Sequence, residues 1–404
     1  MAKKKNVKWT KPRHKIITAI ARVVLKPIVQ SKFNIKIEKF KEQGKRQYLI
    51  IGNHQTSFDQ FFVSLMFKGP IYYIATEDIF SIGFVSKLLK YAVAPIPIKK
   101  QVSDIGAVLN CIKIAKEGGT VALFPEGNRT YNGKTLQFKS AIIGLVKMLK
   151  LPLAIVRIEG GYGAQPRWSK VIRKGPVRSY VSKVIEFEEY NKLDNDQLYE
   201  LISKELFVDE AVVDYDYKHK KLAEYLERAM YVCPHCGLSE FESHNDVVTC
   251  KKCGAQARYL PSKEFEGVNT EWPFRFVDDW YQYQQDYIRK LDLSSFGDQY
   301  LYEDKIELRE VILYKKKKKI SKNAKIRIYN NKYEIEFNKE KLVLDFSDVS
   351  VVTVLGQNKV QIYWKDKIYQ LKGSERMNAL KFMNIYWHKK NTDEGVSEHG
   401  FLGI

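Results

Sequence analysis

The sequence predicts an α/β domain with a mixed sheet and crossover helices, then a small cysteine-rich ribbon, then a β-rich, barrel-like domain with a C-terminal helix. Three observations predict this. From about Phe33 to Phe187, short β-rich runs alternate with helical patterns, the rhythm of strands joined by crossover helices. Two C-x-x-C-G strings follow, Cys233-Pro234-His235-Cys236-Gly237 and Cys250-Lys251-Lys252-Cys253-Gly254. Beyond Leu291 the texture changes to β-branched and aromatic runs separated by turn residues, closed by one helical stretch.

A chain of 404 residues exceeds what one core usually organises, so several units are expected. Residues 1–32 come first. Ile16, Ile17, Ile20, Val23, Val24 and Ile28 follow helical spacing, Arg13, Lys15, Arg22 and Lys26 interrupt them, and Lys3 to Lys5, Lys8 and Lys11 precede. No run approaches the roughly 20 apolar residues of a spanning helix. The segment therefore predicts a helix lying in a membrane interface, with an amphipathic helix packed on its own domain as the alternative. Charges inside the segment and the lack of a convincing cleavage site disfavour a signal peptide.

Residues 33–229 form the α/β unit. Its strands are expected at Phe33–Glu38, Tyr48–Gly52, Ile71–Ala75, Val121–Phe124, Leu153–Ile158 and Val181–Phe187. Helices are expected at Phe58–Phe67, Phe80–Tyr91, Ser103–Lys116 and Leu136–Leu149, with Leu198–Phe207 and Tyr217–Ala229 closing the unit. Residues 230–260 hold the cysteines, and 261–292 form a connecting helical segment rich in aromatics, including Trp280, Tyr281, Tyr283 and Tyr287. Residues 293–390 are the β-rich domain, with strands at Ile306–Tyr314, Ala324–Tyr329, Tyr333–Phe337, Val349–Val354, Val360–Trp364 and Lys367–Leu371. A last helix, Glu375–His388, has Ser374 as its N-cap candidate, and 391–404 are a tail. Meandering strands followed by one helix resemble a pleckstrin-homology-like barrel.

Two strings bear chemistry. Asn53-His54-Gln55-Thr56-Ser57-Phe58-Asp59 reads N-H-x-x-x-x-D, and Phe124-Pro125-Glu126-Gly127-Asn128-Arg129-Thr130 reads F-P-E-G-x-R-T. A five-residue offset leaves His54 and Asp59 on different faces of a continuous helix, so His54 has to precede it. Ser57 and Gln60 fit a capping box that starts the helix near Phe58, with Asp59 in its first turn. Asp59 then accepts one imidazole N–H and leaves the other nitrogen to take a proton from an alcohol. The alternative is a surface histidine beside a capping aspartate. The second string places Glu126 and Arg129 on a tight glycine turn, and a guanidinium there suits bidentate phosphate binding. Its alternative is a solvated loop arginine paired with Glu126.

These strings resemble the glycerolipid acyltransferase family, best known for lysophosphatidate acyltransferases, over roughly Phe33 to Gly175. The resemblance implies that His54 is the base and Asp59 its partner, and that Glu126, Gly127 and Arg129 bind the acceptor phosphate. Ala94 to Lys100 fall where the family has an apolar strand ending in arginine. Lys99 and Lys100 stand there instead, as further candidate phosphate ligands. Leu151-Pro152-Leu153-Ala154-Ile155 resembles the family's proline-containing acyl-site motif with its second proline missing. The resemblance implies an acyl thioester of coenzyme A or acyl carrier protein as donor, or, as in some relatives, an acyl phosphate. The expected reaction forms phosphatidate from 1-acylglycerol 3-phosphate; the alternatives are another lysophospholipid or glycerol 3-phosphate as acceptor, or a non-catalytic lipid-binding scaffold.

Cys233, Cys236, Cys250 and Cys253 have the spacing of a closed structural zinc site, a zinc ribbon. Such pairs without a secretory signal favour metal over disulfide and point to a reducing cytosol; Cys111 reads as a core residue. The net charge of +21, from 68 Lys and Arg against 47 Asp and Glu, calls for an anionic partner. The ribbon lacks the aromatic and basic interleaving of base-stacking proteins, so no nucleic acid is expected. An anionic membrane surface is, with Lys315 to Lys319 as a second basic contact. The expectation is a peripheral protein on the cytoplasmic face of a membrane.

Overall fold

The computed structural model describes residues 8–76, 79–80, 84–98, 104–312 and 317–396. α1 (Pro12–Lys32) leads into β1 (Asn34–Ile37) and β2 (Leu49–Gly52). Then come α2 (Asp59–Met66), β3 (Ile71–Thr76), α3 (Phe84–Ala92), β4 (Ile96–Ile98), α4 (Ile105–Lys116), β5 (Thr120–Leu123), α5 (Ala141–Leu149) and β6 (Leu153–Glu159). A one-turn α6 (Gly161–Ala164), β7 (Pro176–Ile185), α7 (Phe187–Tyr190) and α8 (Asn195–Leu206) complete the first unit. Its sheet runs β1-β7-β6-β2-β5-β3-β4. β6 and β7 pair antiparallel while β2 pairs parallel with both β5 and β6, so the sheet is mixed. Leu49, Ile50 and Ile51 are all buried, as a central strand covered on both faces requires.

α1 docks on this unit with its polar residues. Arg22 Nε donates to Ser64 O at 2.7 Å, Arg13 donates to Tyr91 O at 3.1 Å, and His14 Nδ1 lies 3.0 Å from the Tyr72 hydroxyl. Val29 and Phe33 are buried, whereas Ile16, Ile20, Val23 and Val24 face outward, Val23 with 76% of its surface exposed. That inverts the usual arrangement of a surface helix. Phe84, Leu88 and Tyr91 of α3, which packs on α1, are exposed too. Among the described residues no helix is long and apolar enough to cross a membrane.

Several expected elements are shorter or absent. The helix expected over Leu136–Leu149 begins only at Ala141, because the Thr135 amide goes to Val208 O and the Leu136 amide to the Glu126 carboxylate. Tyr217–Ala229 is not a helix; it contains one 3-10 turn, Leu226–Arg228. Tertiary bonds hold it open, Tyr217 N–H to Pro261 O and Lys218 paired with Lys174, and the Tyr217 ring lies against Gly163 and Gly175 where no side chain would fit. The last helix starts at Leu380, without a cap from Ser374, since Glu375 O is already taken by Arg228 Nε.

The cysteine region is a two-stranded ribbon, β8 (Val232–Cys233) and β9 (Gly237–Leu238), followed by the antiparallel sheet β10 (Phe241–His244), β11 (Val247–Cys250), β12 (Gln256–Tyr259) and β13 (Phe265–Gly267). α9 (Val277–Arg289) is the expected connecting helix. β14 (Tyr302–Glu310), β15 (Lys318–Ile328), β16 (Lys332–Phe337), β17 (Glu340–Asp345), β18 (Val349–Leu355), β19 (Lys359–Trp364) and β20 (Lys367–Gly373) form a curled half-barrel in the order β17-β16-β15-β14-β20-β19-β18. Bulges in β14 around Leu308 help bend it. α10 (Leu380–Glu394) crosses it, with the Tyr386 hydroxyl donating to Val349 O and Trp387 Nε1 to Val352 O. β17 has no counterpart among the expected strands because it opens with Glu340 and Lys341, while β4, only Ile96-Pro97-Ile98, lies where the resemblance places an apolar strand. Of the lysine run, Lys315 and Lys316 lie outside the described residues. Lys318 and Lys319 begin β15 and pair with Glu310 and Glu307.

Candidate active site

β2 and β5 are neighbouring parallel strands in the register Ile51 to Leu123. Their carboxyl ends therefore release the His54 loop and the Glu126 loop side by side, which is where α/β sheets place chemistry. Asn53 fixes the first exit: its side chain donates to Ile158 O at 2.8 Å and accepts from Ile158 N–H at 2.7 Å, tying β2 to the end of β6.

His54 lies before α2, as the five-residue offset requires. Its Nδ1 is 2.7 Å from Asp59 Oδ2, and its ring stacks on Phe124 with centroids 4.6 Å apart. Asp59 is fully buried in the first turn of α2 and accepts from the amides of Gln55 and Thr56 and from the Thr56 hydroxyl at 2.6 Å. A carboxylate held by so many donors is fixed in place. It can receive only the N–H of His54 Nδ1, which sets the tautomer and leaves Nε2 as the basic nitrogen. The expected capping box is not made. Ser57 gives its hydroxyl to Gln165 Oε1 at 2.9 Å, and the Asp59 carboxylate caps the preceding amides instead.

Gly127 makes the second turn possible. Its φ of +61° lies in the left-handed region that glycine enters without strain, and its amide closes the turn to Phe124 O at 3.0 Å. Glu126 is buried and points inward. Oε1 accepts from the His54 amide at 2.6 Å and Oε2 from the Leu136 amide at 2.7 Å, so it clamps the two loops together. Burial, opposed by these two amides, raises its pKa to about 8. Among the described residues no ion pair joins it to Arg129. Arg129 is half-buried, with Nη1 sequestered from solvent and without a partner. Burial, then the neighbouring Arg167, lower its pKa to about 10, so it is still charged at neutral pH. A charged guanidinium with a donor left without a partner suits an anionic ligand. Lys99 and Lys100 lie outside the described residues.

Thr56, Gln165 and Arg167 went unnoticed in the sequence. Thr56 carried a local signal, a hydroxyl three positions before a buried aspartate. Gln165 and Arg167 carried none, because their partners lie on distant segments.

The four cysteine sulfurs lie within 4.8 Å of one another, with Cys233 to Cys253 at 3.7 Å and Cys236 to Cys250 at 3.6 Å. A tetrahedron with Zn–S of about 2.3 Å has an edge of about 3.8 Å, whereas a disulfide would bring two sulfurs to about 2.05 Å. The donor set therefore fits a zinc ion. His235 instead has its ring against Trp272.

Residues 32–159 match the family model described as acyltransferase. A 1-acyl-sn-glycerol-3-phosphate acyltransferase from the chloroplast of Brassica napus is 25% identical over 138 residues, 33% of this chain and 40% of that one. The enzyme of the same name from Borreliella burgdorferi is 30% identical over 105 residues, 26% of this chain and 41% of its own. The chain thus spans about two-fifths of the length of these curated relatives. Among solved structures, the 1-acyl-sn-glycerophosphate acyltransferase PlsC from Thermotoga maritima aligns with a TM-score of 0.37 and 21% identity, covering 48% of this chain and 75% of that one.

Proposed function

From a chain whose residues 32–159 are a domain of the acyltransferase family, we infer an enzyme that moves a fatty acyl group from an acyl thioester to the free hydroxyl of 1-acylglycerol 3-phosphate, giving phosphatidate. The observation that carries this reading is the His54 to Asp59 pair, with the second imidazole nitrogen left available. His54 Nε2 takes the proton of the acceptor hydroxyl as its oxygen attacks the thioester carbonyl. Collapse breaks the C–S bond, the proton passes from His54 to the departing thiolate, and the new ester leaves. No covalent enzyme intermediate is needed. Asp59 orients the base, Glu126 and Gly127 hold the second loop against the first, and Arg129 seats the acceptor phosphate, with Lys99 and Lys100 as additional cations.

The donor is a thioester of coenzyme A or acyl carrier protein, and a chain of net charge +21 attracts the phosphates of one or the acidic surface of the other. Cys233, Cys236, Cys250 and Cys253 hold a structural zinc with no open position for substrate. The protein works as a peripheral enzyme on the cytoplasmic face of an anionic membrane. The outward apolar side of α1 supports this, as does a cleft of about 500 Å3 in the half-barrel whose lining includes Lys305, Lys322 and Lys372.

The test is a radiolabelled transfer assay across lysophosphatidate, other lysophospholipids and glycerol 3-phosphate, each with both thioester donors. Transfer to 1-acylglycerol 3-phosphate well above the others is the expected result. No transfer to any acceptor, with lysolipid still bound, would make the protein a lipid-binding scaffold.

A further inference from the structure

Arg167 is buried, with 5% of its surface exposed, in the loop between α6 and β7. Its guanidinium reaches in two directions. Toward the phosphate loop, Nη1 donates to Arg129 O at 3.0 Å and Nη2 to Asn128 Oδ1 at 3.4 Å. Toward the half-barrel, Nη2 donates to Val354 O at 3.0 Å, near the end of β18, and Nε to Gly356 O at 3.3 Å, in the turn between β18 and β19. The same turn grips the Arg167 backbone, because Gln357 Nε2 donates to Arg167 O at 3.0 Å and to Ser169 O at 2.6 Å. The guanidinium also lies 4.3 Å from the centroid of the Tyr131 ring, just beyond the F-P-E-G-x-R-T string.

Among the described residues Arg167 has no carboxylate partner. Every acceptor it uses is a neutral oxygen, so these bonds bring no counter-charge beside Arg129. A planar fork with five donors can bridge two backbones in this way, and an ammonium cannot. Because the fork fixes the carbonyl of Arg129 and the side chain of Asn128, it fixes the backbone from which the Arg129 side chain is aimed.

We propose that Arg167 is a positioning residue for the acceptor phosphate, held in place by the β18–β19 turn of the C-terminal half-barrel. The half-barrel is then part of the support of the site. This rests on the reading of Arg129 as the phosphate ligand and goes beyond it, since nothing in the two catalytic strings points to residues 167 or 354–357.

The experiment uses the full chain and measures kcat/KM for 1-acylglycerol 3-phosphate and for uncharged 1-acylglycerol, as a ratio. The variants are Arg129→Ala, Arg167→Gln, Arg167→Lys, Gln357→Ala and the double Arg129→Ala with Arg167→Gln. Arg167→Gln should lower the phosphorylated-to-uncharged ratio about tenfold, through KM for the phosphorylated acceptor, and Arg167→Lys should restore little of it. Gln357→Ala should lower the ratio about threefold with both arginines present, and the double variant should be little worse than Arg129→Ala, because Arg167 acts through Arg129. If Arg129→Ala lowers the ratio but Arg167→Gln slows both acceptors equally, the positioning role is overturned and the phosphate reading stands. If Arg129→Ala leaves the ratio unchanged, the phosphate reading falls and takes this inference with it. Should Arg167→Gln fail to fold, Gln357→Ala decides by the same ratio, and an unchanged ratio there overturns the proposal.

Discussion

Asp59 shows how much of a buried carboxylate's environment is backbone. With the amides of Gln55 and Thr56 and the Thr56 hydroxyl all donating to it, an amide side chain would turn one acceptor atom into a donor facing donors. Asp59→Asn should therefore remove most transfer and also lose about 1–3 kcal/mol of stability, read by denaturant unfolding beside a rate assay. His54→Ala leaves that cage intact and should cost a rate factor of about 10²–10⁴ with little change in stability; near-wild-type turnover would sink the mechanism. Arg129→Ala should chiefly raise the acceptor KM, with Arg129→Lys a partial repair. The check is whether an uncharged acceptor is spared. A pH effect belongs at this scale too. Glu126 is buried, with a pKa near 8, and Glu210, equally buried and accepting the Gly160 amide at 2.7 Å, is raised by burial to about 7. Each holds its proton more tightly folded than unfolded, so each contributes stability at low pH that is lost as pH rises toward its folded value. Glu210→Gln should flatten the fall in unfolding free energy between about pH 5 and 7; an unchanged slope in urea titrations would refute the assignment. His54 and Asp59 were legible in the chain because the bond between them spans five positions of sequence. Arg167 was illegible because its partners are 38 and nearly 190 residues away.

Elements were legible where periodicity and local bonding agree. α8 begins with a reciprocal box between Asp194 and Gln197, and helix was expected there on pattern alone. Where a distant partner claims the backbone, pattern misleads, as with the Leu136 amide given to Glu126 and the Tyr217 amide given to Pro261. α1 is the instructive case. Its spacing predicted an amphipathic helix, but only the three-dimensional structure places Arg13 and Arg22 on the protein and Ile16, Ile20, Val23 and Val24 outward. Deleting residues before Phe33 would also strip Val29 and the Arg22 contact from the core, so substitution on the outer side is the better test. Ile20→Glu with Val23→Glu should leave thermal stability within about 0.5 kcal/mol per site, as exposed changes do. The same pair should abolish most sedimentation with vesicles containing anionic lipid. Undiminished binding would assign membrane contact to another surface.

One hydrophobic core runs through the second half of the molecule and reaches back into the first. Trp168 and Tyr131 share it with Phe241 and Trp280 of the cysteine region and with Tyr302, Ile335 and Tyr386 of the half-barrel. The four cysteines lie at its margin, and a zinc held by them would contribute folding energy to everything packed there. One zinc per chain should copurify, and Cys250→Ser should lower the melting temperature before it alters KM; purified protein with no stoichiometric metal by elemental analysis would refute this. The boundaries read from composition mark changes of texture, and composition has no means of registering a core that crosses them. The sheet of the first unit has a different consequence, one of timing. Among the described strands, β1 at residues 34–37 pairs with β7 alone, at 176–179. During synthesis the first strand must wait unpaired until most of the unit has left the ribosome, and α1 leaves with its apolar side bare. The nascent chain therefore spends its early seconds as a client for whatever covers hydrophobic surface, at a translation rate of about 5–20 residues per second.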